Sequence, residues 1–153
     1  MRIFRIYCSA AYDIASGLGS ASYVVTEDNS VLDEDSACDK APSANATEML
    51  SVANALEAVR VHGGGDGDRA FIYMDFRPVC DAFEKGWITK WQENGWKNSD
   101  GLPVRNKELW ETICDHLRGM NAEFRYTKRD EMGMLEKLKK RARKALLSFE
   151  QVL

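Results

Sequence analysis

From Arg2 to Ser9 the chain reads Arg-Ile-Phe-Arg-Ile-Tyr-Cys-Ser, and its alternation of apolar and polar positions predicts a β-strand. Gly17-Leu-Gly19 marks a turn into a second strand, Ser20 to Glu27, and Asp28-Asn29 turns the chain back into a third, Ser30 to about Cys38. The three make an antiparallel meander, with Asp33, Glu34 and Asp35 on its solvated side. At Asn45 the period changes. Met49, Val52, Ala53, Leu56 and Val59 recur at helical spacing up to His62, and Gly63-Gly64-Gly65 ends the amphipathic helix they define. Ala70 to Met74 is a short apolar run ending at Asp75, the pattern of a buried central strand. Helical segments follow from about Pro78 to Trp91 and from Asn106 to Met120, separated by the polar loop Asn98 to Pro103. Glu123 to Thr127 reads as a fifth strand. Met134 to Val152 closes the chain as a helix striped by Leu135, Leu138, Ala142, Ala145 and Phe149. The order βββαβα(α)αβα, its bracketed helix optional, predicts a mixed α/β sheet with helices on its faces.

The 153 residues, 44% of them hydrophobic, suffice for one core, so one domain spanning 1–153 is expected. A net charge of −3 conceals an asymmetry. Residues 1–75 carry 5 Lys/Arg against 12 Asp/Glu, and residues 76–153 carry 16 against 12, so any polyanion-binding surface belongs to the second half. The first residues are too charged for a signal peptide, and no apolar run reaches the roughly 20 residues of a membrane span, so a cytoplasmic protein without membrane contact is expected. Cys8, Cys38, Cys80 and Cys114 have no close pairing and no His at ligand spacing, which favours reduced thiols over zinc ligands or disulfides.

Several local strings resemble the type 1 ribonuclease H family over essentially the whole chain. Gly86-Trp-Ile-Thr-Lys-Trp-Gln-Glu-Asn-Gly-Trp-Lys97, followed by Pro103-Val-Arg-Asn106 and Glu108-Leu-Trp110, is similar to that family's basic protrusion. Ala46-Thr-Glu-Met-Leu50 resembles its glutamate-bearing helix, Tyr73-Met-Asp75 its second carboxylate-bearing strand end, and Arg5 to Ala10 its first strand. The resemblance implies a five-stranded sheet in which strands 4 and 5 run parallel to strand 1. It also implies hydrolysis of RNA in RNA/DNA hybrids by paired Mg²⁺ ions about 4 Å apart, held by several carboxylates.

Two of the family's four carboxylates correspond to Glu48 and Asp75. At the other two positions the chain has Ser9, in the first strand, and Lys139, in the last helix; an ungapped alignment substitutes Lys140 for Lys139. The family's His-bearing loop corresponds to Lys128 to Gly133, which contains no His. A neutral hydroxyl cannot bridge two hard cations and an ammonium repels them, so Mg²⁺ or Mn²⁺ is expected to bind weakly or not at all. Asp13, Asp130, Glu131 and Glu136 read first as surface carboxylates; as replacement ligands Glu136 is best placed, because it lies one turn before Lys139. Without the resemblance, Glu48 reads as an anion early in a helix and Asp75 as a cap.

The four tryptophans are more often core than contact residues; by the same resemblance Trp110 is core, Trp91 lies near the DNA-strand channel and Asn45 near ribose hydroxyls, and Trp87, Trp96, Lys97, Lys139 and Lys140 complete the candidate nucleic-acid-binding set. Gln92-Glu93-Asn94 departs from the family's basic run. Lys137, Lys139, Lys140, Arg141, Arg143 and Lys144 make the last helix a solvated basic face or a phosphate-contacting one. Three functions stay open: an inactive module that binds RNA/DNA hybrid or double-stranded RNA, a metal-dependent hybrid endoribonuclease with a rearranged site, and a scaffold for a protein partner.

Overall fold

A computed structural model describes residues 1–153. Three antiparallel strands, β1 (Ile3–Asp13), β2 (Leu18–Glu27) and β3 (Ser30–Lys40), are followed by α1 (Ala44–Val61) and β4 (Arg69–Met74). Three helices come next, α2 (Arg77–Glu84), α3 (Trp87–Glu93) and α4 (Lys107–Leu117), then β5 (Asn121–Tyr126) and α5 (Met134–Gln151). The sheet order is β3-β2-β1-β4-β5, with β4 parallel to both β1 and β5.

Alternation along the strands divides the interior into two unequal layers. Phe4, Ile6, Cys8, Ile72, Met74 and Phe124 point to one face, where they pack with Met49, Val52, Leu56 and Val59 of α1 and with Val79, Trp110 and Ile113. On the other face Tyr7 and Val24 meet Leu135 and Leu138 of α5 in a smaller cluster. The short strand β4 lies between β1 and β5, but only Ala70, Ile72 and Met74 are buried; Arg69, Phe71 and Tyr73 stay half-exposed, so the strand is less buried than its apolar run predicts. Helix α5 packs over β1, β2 and β3. The face of β4 and β5 beyond it is left without a helix.

The hairpins extend further than the sequence pattern indicates, because pairing continues through polar residues: Asp13 pairs with Leu18, and Leu18 with Lys40. The helical stretch from Pro78 to Trp91, where the sequence leaves a second helix optional, holds two helices. Gly86 adopts φ +73°, a left-handed conformation that ends α2 and caps α3. Helix α4 stops at Leu117, ahead of Gly119 at φ +80°, and so does not reach Met120. The acidic group of β3 is only partly solvated. Asp33 lies 3.3 Å from His62 and Glu34 lies 3.5 Å from Arg141. No helix is long and apolar enough to cross a membrane. The four cysteines are unpaired, with Cys8 and Cys80 buried.

Candidate active site

Ser43 starts the construction of the site. Its side chain accepts a hydrogen bond from Ala46 N at 3.1 Å, closing the N-terminus of α1 as a Ser cap should. Glu48 follows in the second turn, on the face turned toward the sheet, and is only 4% exposed. Gly19 of β2 admits the helix this closely: a Cβ there would lie 2.5 Å from Thr47 Oγ1. Asp75 directly follows β4, and Ser9, midway along β1, is the first residue beyond the last β1–β4 pair, Cys8 with Met74, so both lie where the parallel pairing ends. Binding residues concentrate at such strand ends in open α/β sheets.

Lys139 enters from α5. Its Nζ lies 3.8 Å from Glu48 Oε1 and 3.8 Å from Asp75 Oδ2. The distance is too long for a hydrogen bond and short enough for a strong Coulomb attraction in a partly buried place. One ammonium thus stands between two carboxylates. Their other oxygens, Glu48 Oε2 and Asp75 Oδ1, are buried without a hydrogen-bond partner, as is Ser9 Oγ. Burial pushes the Glu48 carboxyl up to about 8; Lys139 opposes the shift and Asp75 adds to it.

The geometry chooses between the two lysines. Lys140 points outward and pairs with Glu136 at 3.8 Å, with side-chain exposures of 73% and 64%. Glu136 lines a small cleft together with Asp75, Lys139 and Arg143 but does not join Glu48. No three His, Cys, Asp or Glu side chains gather closely enough to hold a metal ion. The donor set, two carboxylates and a hydroxyl with a cation already between them, does not fit a pair of divalent ions. Neither simpler reading of the carboxylates survives: Glu48 lies beyond the first turn of α1, and α2 has no side-chain cap from Asp75. Asp130 is occupied too. Its carboxylate accepts from Met134 N at 2.9 Å and Leu135 N at 2.8 Å, holding the start of α5, a capping role that no local pattern in the sequence marks.

The tryptophans form one cluster of mutually tilted rings. Trp91 is its centre, with ring centroids 6.3 Å from Trp87, 6.5 Å from Trp96 and 5.6 Å from Trp110. Trp110 is buried, and Trp87 and Trp91 pack on the core while also lining a cleft of 390 Å³ with Asn45, Phe76 and Asn106. Trp87 and Trp91 also line a neighbouring cleft with Lys97. Asn45, Trp87, Trp91 and Lys97 therefore share one side of the molecule. Trp96 adopts φ +60° and supports the loop by accepting Val104 N at its carbonyl, 2.9 Å away.

A mixed sheet of this order, with an aspartate at the end of β4 facing a glutamate of α1 and a helix across the meander, defines a ribonuclease H-like fold. The family model described as RNase H matches residues 2–129, and the chain belongs to that family. A ribonuclease H of Nitratidesulfovibrio vulgaris is 38% identical over 84 residues, 55% of this chain and 51% of that protein. The chain spans about half the length of the curated relatives at this level of similarity. Ribonuclease HI of Synechocystis is 27% identical over 123 residues, 80% of this chain and 74% of that protein. Among solved structures, LC9-RNase H1, a type 1 RNase H with the type 2 active-site motif, superposes with a TM-score of 0.76. It is 21% identical and covers 97% of this chain and 74% of its own. LC11-RNase H1 in complex with RNA/DNA hybrid gives a TM-score of 0.67 at 19% identity, covering 94% and 99% of the two chains.

Proposed function

We propose that this chain binds RNA/DNA hybrid, or double-stranded RNA of similar helical shape, and does not cut it. The observation that carries this reading is the ammonium of Lys139, 3.8 Å from each of the two carboxylates, where metal-dependent phosphoryl transfer needs a divalent cation. Ser9 adds no charge to attract one. The groove side is better preserved: Asn45, Trp87, Trp91 and Lys97 line adjoining clefts, and α5 offers Lys140, Arg143 and Lys144 to phosphates. A foamy viral protease–reverse transcriptase and LC11-RNase H1, both similar in fold, have been solved in complex with RNA/DNA hybrid.

The test pairs a binding titration with a cleavage assay on one labelled hybrid, in Mg²⁺ and separately in Mn²⁺. Binding should weaken steeply with salt, and neutralising the phosphate-contacting cations of α5 should lower the slope by about one per contact removed. No cleavage above background is expected in either metal. Metal-dependent cleavage that disappears in Asp75→Asn would overturn the reading. It would favour the second one, a nuclease holding a single ion, which the three unpartnered oxygens of Ser9, Glu48 and Asp75 recommend.

A further inference from the structure

On the opposite side of the sheet from the tryptophan clefts, we propose a second nucleic-acid site that takes a single-stranded segment. A base is held against Tyr73, which stacks on the buried Tyr7, beside Arg125, and phosphates lie on Arg5 and Arg129. The open part of the sheet shows why. Helix α5 covers β1 to β3, while register sets Arg5 beside Phe71 and places Tyr7, Tyr73 and Arg125 in one row across β1, β4 and β5. Tyr7 and Tyr73 stack with centroids 5.1 Å apart and planes 15° apart. Guanidinium groups of Arg5, Arg69 and Arg125 surround the Phe71 ring at 5.6, 5.1 and 4.7 Å.

Three guanidiniums around one ring repel one another, and the surroundings do little to offset this. Arg125 pairs with Glu123 at 3.3 Å, whereas Arg5, Arg69 and Arg129 enter no ion pair, and Arg69 Nε is buried without a partner. The face therefore lacks anions that an external ligand could supply. A cleft of 630 Å³ opens here, bounded by Tyr7, Tyr73, Arg5, Arg125, Arg129 and Met132. It also borders Asp130, whose carboxylate is already spent on the start of α5, and the exposed Glu131. That volume suits a nucleotide.

Rings beside arginines are how single strands are bound, since every base has a face to stack and every linkage a charge to pair. Arg129 also lines the cleft holding Asp75 and Lys139. One basic residue joins the two sides, so a strand leaving the strand-end cleft has a continuous path onto this face. An acidic peptide would satisfy the arginines and leave the rings unused.

The probe is a fluorescein-labelled oligouridylate of about eight nucleotides, read by anisotropy, with a blunt hybrid as comparator. The wild type should bind it, and unlabelled blunt hybrid should not displace it. Arg5→Glu with Arg125→Glu, both exposed residues outside the strand-end cleft, should weaken oligouridylate about tenfold or more and leave blunt-hybrid affinity within about twofold. Tyr73→Leu should give a loss of about tenfold for the single strand, with folding checked by circular dichroism. If it unfolds, the charge reversals decide alone. Absence of oligouridylate binding by the wild type would overturn the proposal, as would unchanged affinity in the double variant or full displacement by blunt hybrid. Binding of polyglutamate in place of oligouridylate, lost in the double variant, would overturn it in favour of a protein partner. Loss of hybrid binding alone sinks the groove reading and leaves this site standing.

Discussion

Replacing Glu48 by Gln isolates the electrostatics of the candidate site. Raising its pKa from 4.5 to about 8 means that ionising Glu48 in the folded protein costs about 5 kcal/mol more than in the unfolded chain. The folded state thus binds more protons than the unfolded one between those values. Stability from this group is complete below about pH 4.5 and is lost as pH rises through 8. From about pH 5 to about pH 9 the loss amounts to about 4 kcal/mol at most, and relaxation with water entry lowers it toward about 2 kcal/mol. Glu48→Gln keeps the shape and an acceptor oxygen for Lys139 but cannot ionise. Urea denaturation of both proteins across this range, in EDTA, should show curves that converge in acid and diverge in alkali, with the variant about 2–4 kcal/mol more stable at about pH 9. Lys139→Met should deepen the wild-type loss and extend it above pH 8, because the charge opposing the shift is gone. Parallel curves for wild type and Glu48→Gln would refute the argument.

Rebuilding the vacated positions is a second test: Ser9→Asp with Lys139→Asp should lower stability without metal through carboxylate repulsion and restore it with millimolar Mg²⁺ or Mn²⁺. Thermal melts should register a metal-linked gain of about 2.7 kcal/mol at a hundredfold excess over Kd, and Ser9→Asp with Lys140→Asp should register none. A third prediction concerns the close approach of β2 to α1, where an added Cβ at Gly19 meets Thr47 at 2.5 Å. Gly19→Ala should cost about 1–3 kcal/mol, visible as a drop of roughly 3–10 °C in Tm, and Thr47→Ala in the same chain should recover part of it.

All five strands and every helical segment were legible in the sequence, because the apolar period changes from two to 3.6 and back at each boundary. What escaped was set by backbone conformation and by pairing. Whether Pro78 to Trp91 holds one helix or two stayed open in the sequence, and the left-handed φ at Gly86 decides for two. Leu18 and Lys40 extend the hairpins because they find partners across the sheet, a fact absent from their own composition. At the candidate site the residue types were legible by resemblance, but the choice of Lys139 over Lys140 needed the phase of α5. The arginine and tyrosine face was written in alternate positions, Arg5 and Tyr7, Phe71 and Tyr73, Glu123 and Arg125. It became a surface only when register placed those pairs side by side and α5 left them uncovered.

The exchange of metal for lysine also changes what a phosphate meets at the strand ends. A cluster of four carboxylates repels a nucleic-acid backbone until cations fill it, so such a site couples substrate approach to metal. Here Glu48 is largely protonated near neutral pH, and Asp75 and Lys139 leave the site close to uncharged. The backbone then encounters no barrier that an ion must remove. In the reading proposed above, hybrid binding should therefore be indifferent to EDTA and weaken slightly above about pH 8, as Glu48 ionises and returns a negative charge beside the groove. A metal-dependent nuclease would show the reverse, binding its substrate more tightly as divalent ions are added. Anisotropy titrations of one hybrid with and without EDTA, at about pH 6 and about pH 9, separate the two electrostatic designs without relying on cleavage.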